Sequence, residues 1–314
     1  MVLRFWRCWS TVFFCLGLLF APVLGNAQAS SSKPPDLAKK VEDPQMAFVI
    51  ARWSQTACEP DCPEWIVAQG RIMADSAAKL ALLLANPANR KLPLILNSYG
   101  GNIDSALRMG RLLRRYHMIV GVGWTHFKGC SPFTQANTPC LPDPATKAFA
   151  GLADEWGATC FSACPLVLLG GVERIVNTGS RLGLHEPITE THPYIDRYWV
   201  TWRMVHGHKV ILSRKFLKRT TLASKTTVGI TPYLRKQLVP YLKEMGGAPE
   251  ILDEMNKATP QTMNLISDSD GSRSKLGLIT NGYGALATHT GYAACNVALT
   301  ALSNCVHDKE KEPH

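Results

Sequence analysis

Acidic residues are scarce in this sequence, and their scarcity limits the partners to expect. Only 24 aspartates and glutamates stand against 34 lysines and arginines, so the formal net charge is +10. Much of the excess lies in residues 214–225 (RKFLKRTTLASK), a pattern typical of a solvated face. It leaves open a weak association with an anionic membrane surface. Because the stretch lacks aromatic interleaving and any nucleic-acid-binding motif, we expect no nucleic-acid partner.

Long apolar runs are equally rare, and none after residue 24 is long enough to span a bilayer. The run at residues 12–24 follows Arg4 and Arg7 and precedes Ala27-Gln28-Ala29, a small-residue cleavage site. This is the order of a secretory signal peptide. The run is short for a membrane span, so an uncleaved anchor is the alternative that we favour less. The sequence therefore predicts a signal peptide at 1–29 and a periplasmic or secreted protein.

Removal of residues 1–29 leaves eight of the ten cysteines, and an even number in an exported chain predicts disulfides. These cysteines lie in four close pairs: Cys58/Cys62, Cys130/Cys140, Cys160/Cys164 and Cys295/Cys305. Spacing does not determine the partners. Cys130–Cys140 is the preferred pair because it closes a modest loop, whereas Cys160 and Cys164 would be uncomfortable on one helix. The unequal gaps, without histidines at finger spacing, argue against zinc, and we expect neither a metal nor another cofactor.

Short apolar strands alternate with helices over the first half of the mature chain, which predicts an α/β domain with a largely parallel sheet. Residues 124–157 interrupt this alternation and are predicted to be a surface excursion. Residues 188–247 are predicted to be mostly helical, with Trp199 and Trp202 packed inside this cap. The predicted organisation is a linker (30–44), a core (45–187), a helical insertion or cap (188–247), a return to the core (248–280) and a C-terminal tail (281–314).

The stretch CFSACP at residues 160–165 is the most informative for chemistry. Ser162 lies between small residues at the entrance to a predicted helix, where its hydroxyl could point into a site. Serine is a weak nucleophile unless a base takes its proton, and His185 on a neighbouring predicted strand could be that base. The alternative is that Ser162 only caps the helix and His185 fills the core.

The stretch NSYGG at residues 97–101 follows a buried strand, and its two glycines allow the backbone to turn and present free amides. Acyl transfer requires such amides where the oxyanion develops, usually together with the amide that follows the nucleophile, here Ala163. A Gly-Gly pair alone more often only makes a turn.

The order of several segments resembles one family. These segments are 66–85, NSYGG and the following IDSA, CFSACPLVLLGG, VERIVNTGSRLGLHEP and 275–279. Together they are similar to the proteolytic subunit of Clp protease and its ClpP-like periplasmic relatives in the Clp-protease/crotonase superfamily, over residues 65–125, 157–188 and 248–280. The resemblance implies a ββα spiral core, a peptide or protein substrate and a homo-oligomer. It also implies that Ser162 is the nucleophile, that His185 is the general acid and base, and that the Gly101 and Ala163 amides form the oxyanion hole.

The chain departs from that family at three places in the candidate site. Cys160 and Cys164 flank the serine, which suits an oxidised compartment. Tyr99 replaces the usual proline before the two glycines. The third member of the triad should come from residues 249–259, where Asp253, Glu254 and Asn256 are all candidates. An esterase with the same Ser-His pair and a non-catalytic binding or assembly module of the same fold are the alternatives to a serine peptidase. Acyl-CoA chemistry of the crotonase type is disfavoured because export removes the protein from that cofactor.

We expect the exported protein to begin at Ser30, because residues 1–29 have the charged, apolar and small-residue regions of a cleaved signal. N-terminal sequencing of the protein recovered after export checks this. An N-terminus at Met1 would exclude the signal peptide and favour the anchor.

Overall fold

The structure is a computed structural model, and it describes residues 44–54, 61–133 and 140–280, all within one compact unit. The predicted signal peptide, nearly all of the predicted linker and the predicted C-terminal tail lie outside the described residues. So do Cys58, Cys295 and Cys305 and the pairings expected for them. Within the described ranges, no helix combines the length and the apolar character of a membrane span.

The described residues form fourteen strands and six helices, with a 3-10 turn at Pro87–Lys91. In chain order they are β1 (Ala47–Trp53), β2 (Glu64–Gln69), α1 (Ser76–Leu83), β3 (Leu94–Asn97), α2 (Ile103–Arg115), β4 (Ile119–Val122), β5 (Trp124–Phe127), β6 (Phe149–Asp154), β7 (Thr159–Phe161), α3 (Cys164–Leu168), β8 (Glu173–Val176), β9 (Arg181–Leu184), β10 (Ile188–Thr191), β11 (Tyr194–Val205), β12 (His208–Thr221), β13 (Lys225–Val228), α4 (Pro232–Met245), α5 (Ile251–Met255), β14 (Asn264–Leu265) and α6 (Ser272–Lys275).

The main sheet has seven strands in the order β5-β6-β1-β2-β3-β4-β8. Strands β2, β3, β4 and β8 run parallel to one another, whereas β1 is antiparallel to β2. The central strands β3 and β4 are short and almost wholly apolar, as expected of parallel strands that are covered on both faces. Leu94, Ile95 and Leu96 of β3, for example, are all completely buried. The predicted α/β class is confirmed at this coarse level, and the sheet mixes parallel and antiparallel pairs.

A second sheet, of three strands, lies next to the end of β3. In it β7 and β9 are parallel and β14 is antiparallel to β9. Ser98, the residue after β3, joins the two sheets: its N–H donates to Thr159 O (2.8 Å), and its carbonyl accepts from Phe161 N–H (3.0 Å). The pairing of Ser98 with Cys160 is parallel. Strands β3, β7 and β9 therefore end at a common edge, and this edge positions the candidate site.

The short helix α3 is held against α2 by a close approach of two glycines. A Cβ on Gly170 would overlap the Cα and the carbonyl oxygen of Gly110 and would lie 2.7 Å from its carbonyl carbon. Nearby, the Tyr241 hydroxyl of α4 donates to Leu166 O of α3. Helices α2, α3 and α4 thus form one packed layer beneath the Ser162 turn.

The prediction of a helical insertion after the His185 strand is wrong over residues 188–228, which form two β-ribbons; only α4, at the end of the predicted cap, is helical. Strands β10 and β13 pair, and beyond them β11 and β12 form a long hairpin. Aromatic and β-branched residues recur along both strands and favour extended backbone. His206 and Gly207 connect them with φ values of 51° and 77°, the conformation of a two-residue hairpin turn.

Two further expectations need correction. Trp199 and Trp202 are not packed inside a cap: 66% and 49% of their surfaces are exposed on the hairpin. The predicted surface excursion at 124–157 contains β5 and β6, which extend the main sheet because β6 pairs in parallel with β1.

We expect Gly170→Ala to lower the free energy of unfolding by about 1–3 kcal/mol, because the new methyl group meets backbone that cannot move aside. Gly179→Ala is the matched control, since the nearest atom to a Cβ there is Glu155 Cγ at 3.2 Å, which belongs to a flexible side chain. Urea unfolding of both variants measures the difference. Equal losses would show that α2 and α3 are not in the close contact described.

Candidate active site

The candidate residues lie at the carboxyl ends of three adjacent parallel strands. The two glycines follow β3, Ser162 follows β7, and His185 follows β9. The Ser162 N–H donates to Gly183 O (2.9 Å), which ties the serine turn to the histidine strand. Parallel pairing thus gathers residues that are far apart in the sequence at one sheet edge, which is where open α/β sheets commonly bind ligands.

Ser162 occupies a sharp strand-to-helix turn with a φ of 60°. A side chain in this left-handed region costs about 1–3 kcal/mol and is frequently found where function requires it. Such a turn exposes the hydroxyl between a strand and a helix, as the turns that carry serine nucleophiles in hydrolases do. Ser162 is only partly buried, so its hydroxyl is accessible.

A disulfide encloses the Ser162 turn. Cys160 and Cys164 are bonded, with their Cα atoms 5.1 Å apart and both residues fully buried. They do not share a helix, because Cys160 lies on β7 and Cys164 begins α3, which removes the reason for doubting this pair. The preferred pair, Cys130–Cys140, is also bonded, with a Cα–Cα distance of 5.6 Å. Cys62 is disulfide-bonded as well.

The backbone at Gly100 approaches the serine turn more closely than a side chain would permit. A Cβ on Gly100 would lie 2.5 Å from Ser162 Cβ and 2.6 Å from Phe161 O. Gly100 and Gly101 have φ values of 95° and 138°, which strongly favour glycine. The main chain on either side of Gly101 is also held, since Ile72 N–H donates to Gly100 O (2.8 Å) and Asn102 N–H donates to Ile72 O (2.8 Å). Gly100 is therefore required by the close contact with the Ser162 turn, and Gly101 by its close contact with the Ile72 backbone.

Two amides beside Ser162 remain available to a ligand. Over the described ranges, neither the Gly101 N–H nor the Ala163 N–H donates a hydrogen bond. By contrast, the Gly100 N–H donates to Ser98 Oγ (3.0 Å), and that hydroxyl in turn donates to Gly70 O (2.7 Å). The two free amides are the pair that the resemblance implies for an oxyanion hole.

His185 lies in the same cleft as Ser162, and its ring is oriented by the main chain. Its Nδ1 is 2.7 Å from Glu186 O. A carbonyl oxygen can only accept, so this bond assigns the proton to Nδ1 and leaves Nε2 of the neutral ring free to act as a base. In the described part of the chain, no hydrogen bond joins Ser162 Oγ to the ring. Such bonds are often long without substrate and shorten when it binds.

None of the three candidates for the third triad member contacts His185 by a hydrogen bond or an ion pair among the described residues. Asp253 and Asn256 are exposed on and just after α5. Glu254 is engaged by Lys257 Nζ (2.6 Å) and Asn264 Nδ2 (2.8 Å). Its burial opposes ionisation, but these two donors outweigh that effect and hold the pKa of Glu254 below its ordinary value.

The cleft that contains these groups has a volume of about 430 Å³. Its wall carries charges of both signs, large apolar side chains and the start of β10. The residues that line it include Gly101, Ser162, His185, Pro187, Ile188 and Thr189. Strand β10 pairs only with β13 among the described strands, so its other edge keeps main-chain donors and acceptors unpaired.

Two contributions to this site were not predicted from the sequence. The Glu186 carbonyl has no sequence signal, because any residue supplies a carbonyl. Ser98 was inside a recognised motif, yet only the coordinates show that its hydroxyl supports the Gly100 turn. The proximity of Ser162, His185, Gly101 and the Ala163 amide agrees with the arrangement expected from the resemblance; their roles remain predictions.

No protein-family model and no curated protein sequence matches this chain. A solved structure with some similarity is that of a mutant of 1510-N, a membrane-bound stomatin-specific protease. It has 12% sequence identity and a TM-score of 0.35, over 70% of this chain and 79% of that chain. At this similarity neither the fold nor the activity of the present chain follows from that protein.

We expect separate alanine substitutions of Asp253, Glu254 and Asn256 to leave the reaction rate of Ser162 near the wild-type value, because a main-chain carbonyl already orients His185. Removal of a true orienting carboxylate costs about 10⁴-fold in rate. The rate of labelling by a fluorophosphonate probe measures this. A loss near 10⁴ in one variant would identify that residue as the third member of the triad.

Proposed function

We propose that this chain is an exported serine peptidase of the ClpP-like type, with a Ser162–His185 dyad. The observation that carries the proposal is the meeting of four groups at one sheet edge: Ser162 in a left-handed turn, His185 with a free Nε2, and two unused amides. A capping serine and a core histidine do not require free amides or a shared cleft, so the simpler structural interpretation accounts for less of the geometry.

The proposed reaction begins when Ser162 Oγ attacks the substrate carbonyl carbon and its proton passes to His185 Nε2. The carbonyl oxygen then carries negative charge and accepts hydrogen bonds from the Gly101 and Ala163 amides. As the carbon–nitrogen bond breaks, Nε2–H gives its proton to the leaving amine, and an ester to Ser162 remains. Water repeats the sequence: His185 takes a proton from it, the acyl group leaves as a carboxylic acid, and the serine hydroxyl is restored.

A peptide substrate is favoured over a simple ester by the wall of the cleft. Ile188 and Thr189 of β10 line the cleft together with Ser162, and among the described strands β10 has one unpaired edge. An extended peptide could pair with that edge through its backbone, whereas a small ester could not use it. The disulfides of the described chain are compatible with an oxidising compartment and thus with export.

A non-catalytic binding module is the alternative, and one observation favours it. In the described residues no carboxylate contacts His185, and the Ser162 hydroxyl is not bonded to its ring. In that case the cleft would bind an extended peptide without cleaving it.

We expect a fluorophosphonate probe to modify Ser162 in the purified protein and Ser162→Ala to abolish both modification and peptide hydrolysis. Loss of the nucleophile in a serine protease reduces turnover by roughly 10⁶-fold, and loss of the histidine should be nearly as severe without adding to it. Mass spectrometry locates the adduct, and a quenched peptide library measures hydrolysis.

Ser274→Ala is the matched control, since Ser274 is an exposed serine on α6. It should leave labelling and hydrolysis unchanged. Hydrolysis that survives Ser162→Ala would refute the assignment of the nucleophile. Binding of an extended peptide with neither hydrolysis nor labelling would establish the binding module in place of the peptidase.

A further inference from the structure

The β11–β12 hairpin forms an arm, residues 194–221, that has no packing partner along its length among the described residues. All residues of β12 and most of β11 are exposed. Only its base is held: Leu222 N–H donates to Pro193 O (2.8 Å), which brings the two ends of the arm together. A ribbon of only two strands is marginally stable on its own in water. An exposed arm of this length therefore suggests that a partner covers it.

The register divides the side chains of the arm between two faces. Paired residues share a face, and the extra residues Leu212 and Leu217 bulge from β12. One face, here called the aromatic face, contains Tyr194, Asp196, Tyr198, Val200, Trp202 and Met204 opposite Thr221, Arg219, Phe216, Arg214, Ile211 and Lys209. The other, the basic face, includes Arg197, Trp199 and Arg203 opposite Lys218, Lys215 and Val210.

The outer half of the aromatic face is mostly apolar, although Arg214 lies opposite Val200 within it. The rings of Tyr198 and Phe216 meet edge to face at 5.8 Å. Lys209 Nζ lies 4.5 Å from the centre of the Trp202 ring, so the cation covers the edge of this surface. Trp202, Met204 and Phe216 are each about half exposed to solvent or more. Apolar side chains this exposed on a soluble face normally mark an interaction site.

The charge of the arm is strongly positive. It carries seven lysines and arginines and a single acid, Asp196, so +6 of the chain's formal +10 lies in 28 residues. Asp196 is neutralised within the arm, because Arg219 donates to both of its carboxylate oxygens (2.7 and 2.8 Å). On the basic face, Arg197, Arg203, Lys215 and Lys218 have no ion pair within the described part of the chain.

We propose that the arm is a docking ribbon for the surface of an anionic phospholipid bilayer. Its aromatic face lies at the boundary between headgroups and acyl chains, where tryptophan and tyrosine are favoured. Because the ribbon is only one sheet thick, the long lysine and arginine side chains remain within the headgroup layer and meet the lipid phosphates. Binding of the arm to such a surface does not require an active Ser162.

Two other occupants fit the arm less well. A second copy would bring its own +6 against the first, with no acid free to balance it, so face-to-face pairing of arms is electrostatically unfavourable. A single-stranded nucleic acid would match the charge and stack on the rings. It would leave the aliphatic surface of Val200, Met204, Ile211 and the bulged leucines in water, whereas acyl chains would cover it.

Hydrogen–deuterium exchange of the full chain tests the proposal, because peptides from residues 194–221 report on the arm alone. Any binding of the apolar run at residues 12–24 to the vesicles is then measured separately. We expect vesicles of phosphatidylglycerol and phosphatidylcholine to slow exchange in the arm, and pure phosphatidylcholine vesicles to have little effect. Raising the salt concentration should weaken the protection, because salt screens the attraction between the cations and the lipid phosphates. This measurement uses the wild-type protein alone.

The double variant Lys215→Glu/Lys218→Glu should raise the lipid concentration that gives half-maximal protection by more than about tenfold. The reason is that each cation near an anionic surface strengthens binding several-fold. Lys91→Glu/Lys236→Glu makes the same change in net charge at exposed sites outside the arm and should behave as the wild type. Trp202→Ser/Phe216→Ser should lose protection while all cations remain.

Four outcomes would overturn the proposal. The first is that anionic vesicles do not change hydrogen exchange in the arm, and the second is that neutral vesicles protect it equally. The third is protection that increases with protein concentration in the absence of lipid. The fourth is protection by an oligonucleotide but not by vesicles. The third would instead identify a second copy as the partner, and the fourth a nucleic acid.

Discussion

The candidate site depends on one close backbone contact, between the end of β3 and the turn that carries Ser162. At Gly100 even a single Cβ would collide with Ser162 Cβ, at 2.5 Å. Two sets of main-chain hydrogen bonds support this contact: Ser98 bonds to Thr159 and Phe161 of β7, and Ile72 N–H donates to Gly100 O. Its consequence is chemical: it leaves the Gly101 and Ala163 amides without acceptors next to the serine hydroxyl, where an anionic oxygen could bind.

The helix that follows Ser162 is fixed at its other end by two arginines, of which Arg174 is buried and Arg114 is partly buried. Arg114 donates to Leu169 O (2.8 Å) and Met245 O (2.9 Å), and Arg174 also donates to Met245 O (2.8 Å). Guanidinium groups are favourable at the carboxyl ends of helices, here α3 and α4. Burial, followed by the charge of Arg114, lowers the pKa of Arg174 to about 10, so that it stays charged at neutral pH. Together with the Cys160–Cys164 bridge, these bonds hold α3 at both ends.

Local patterns predicted the core well and the insertion poorly, for physical reasons. Strands such as β3 and helices such as α2 bury one continuous apolar surface, so their periodicity is visible in the sequence. The arm buries little, and Trp199 and Trp202, three residues apart, suggested a helix although the two rings lie on opposite faces of a ribbon. Ser162, His185 and the glycines were recognised as an ordered set. The role of the Glu186 carbonyl could not be predicted, because every residue type has a main-chain carbonyl.

The insertion is connected to the site by a very short path. Only Glu186 and Pro187 separate His185 from β10, and β10 with β13 leads directly into the base of the arm. Both linking residues are tied by their main chains: Glu186 N–H donates to Ala258 O (2.9 Å), and Pro187 O accepts from Gly229 N–H (2.9 Å). The orientation of His185 is therefore held on the core side, while Ile188 continues the cleft toward the arm. A surface that holds the arm would keep the mouth of the cleft near that surface and leave the geometry at Ser162 undisturbed.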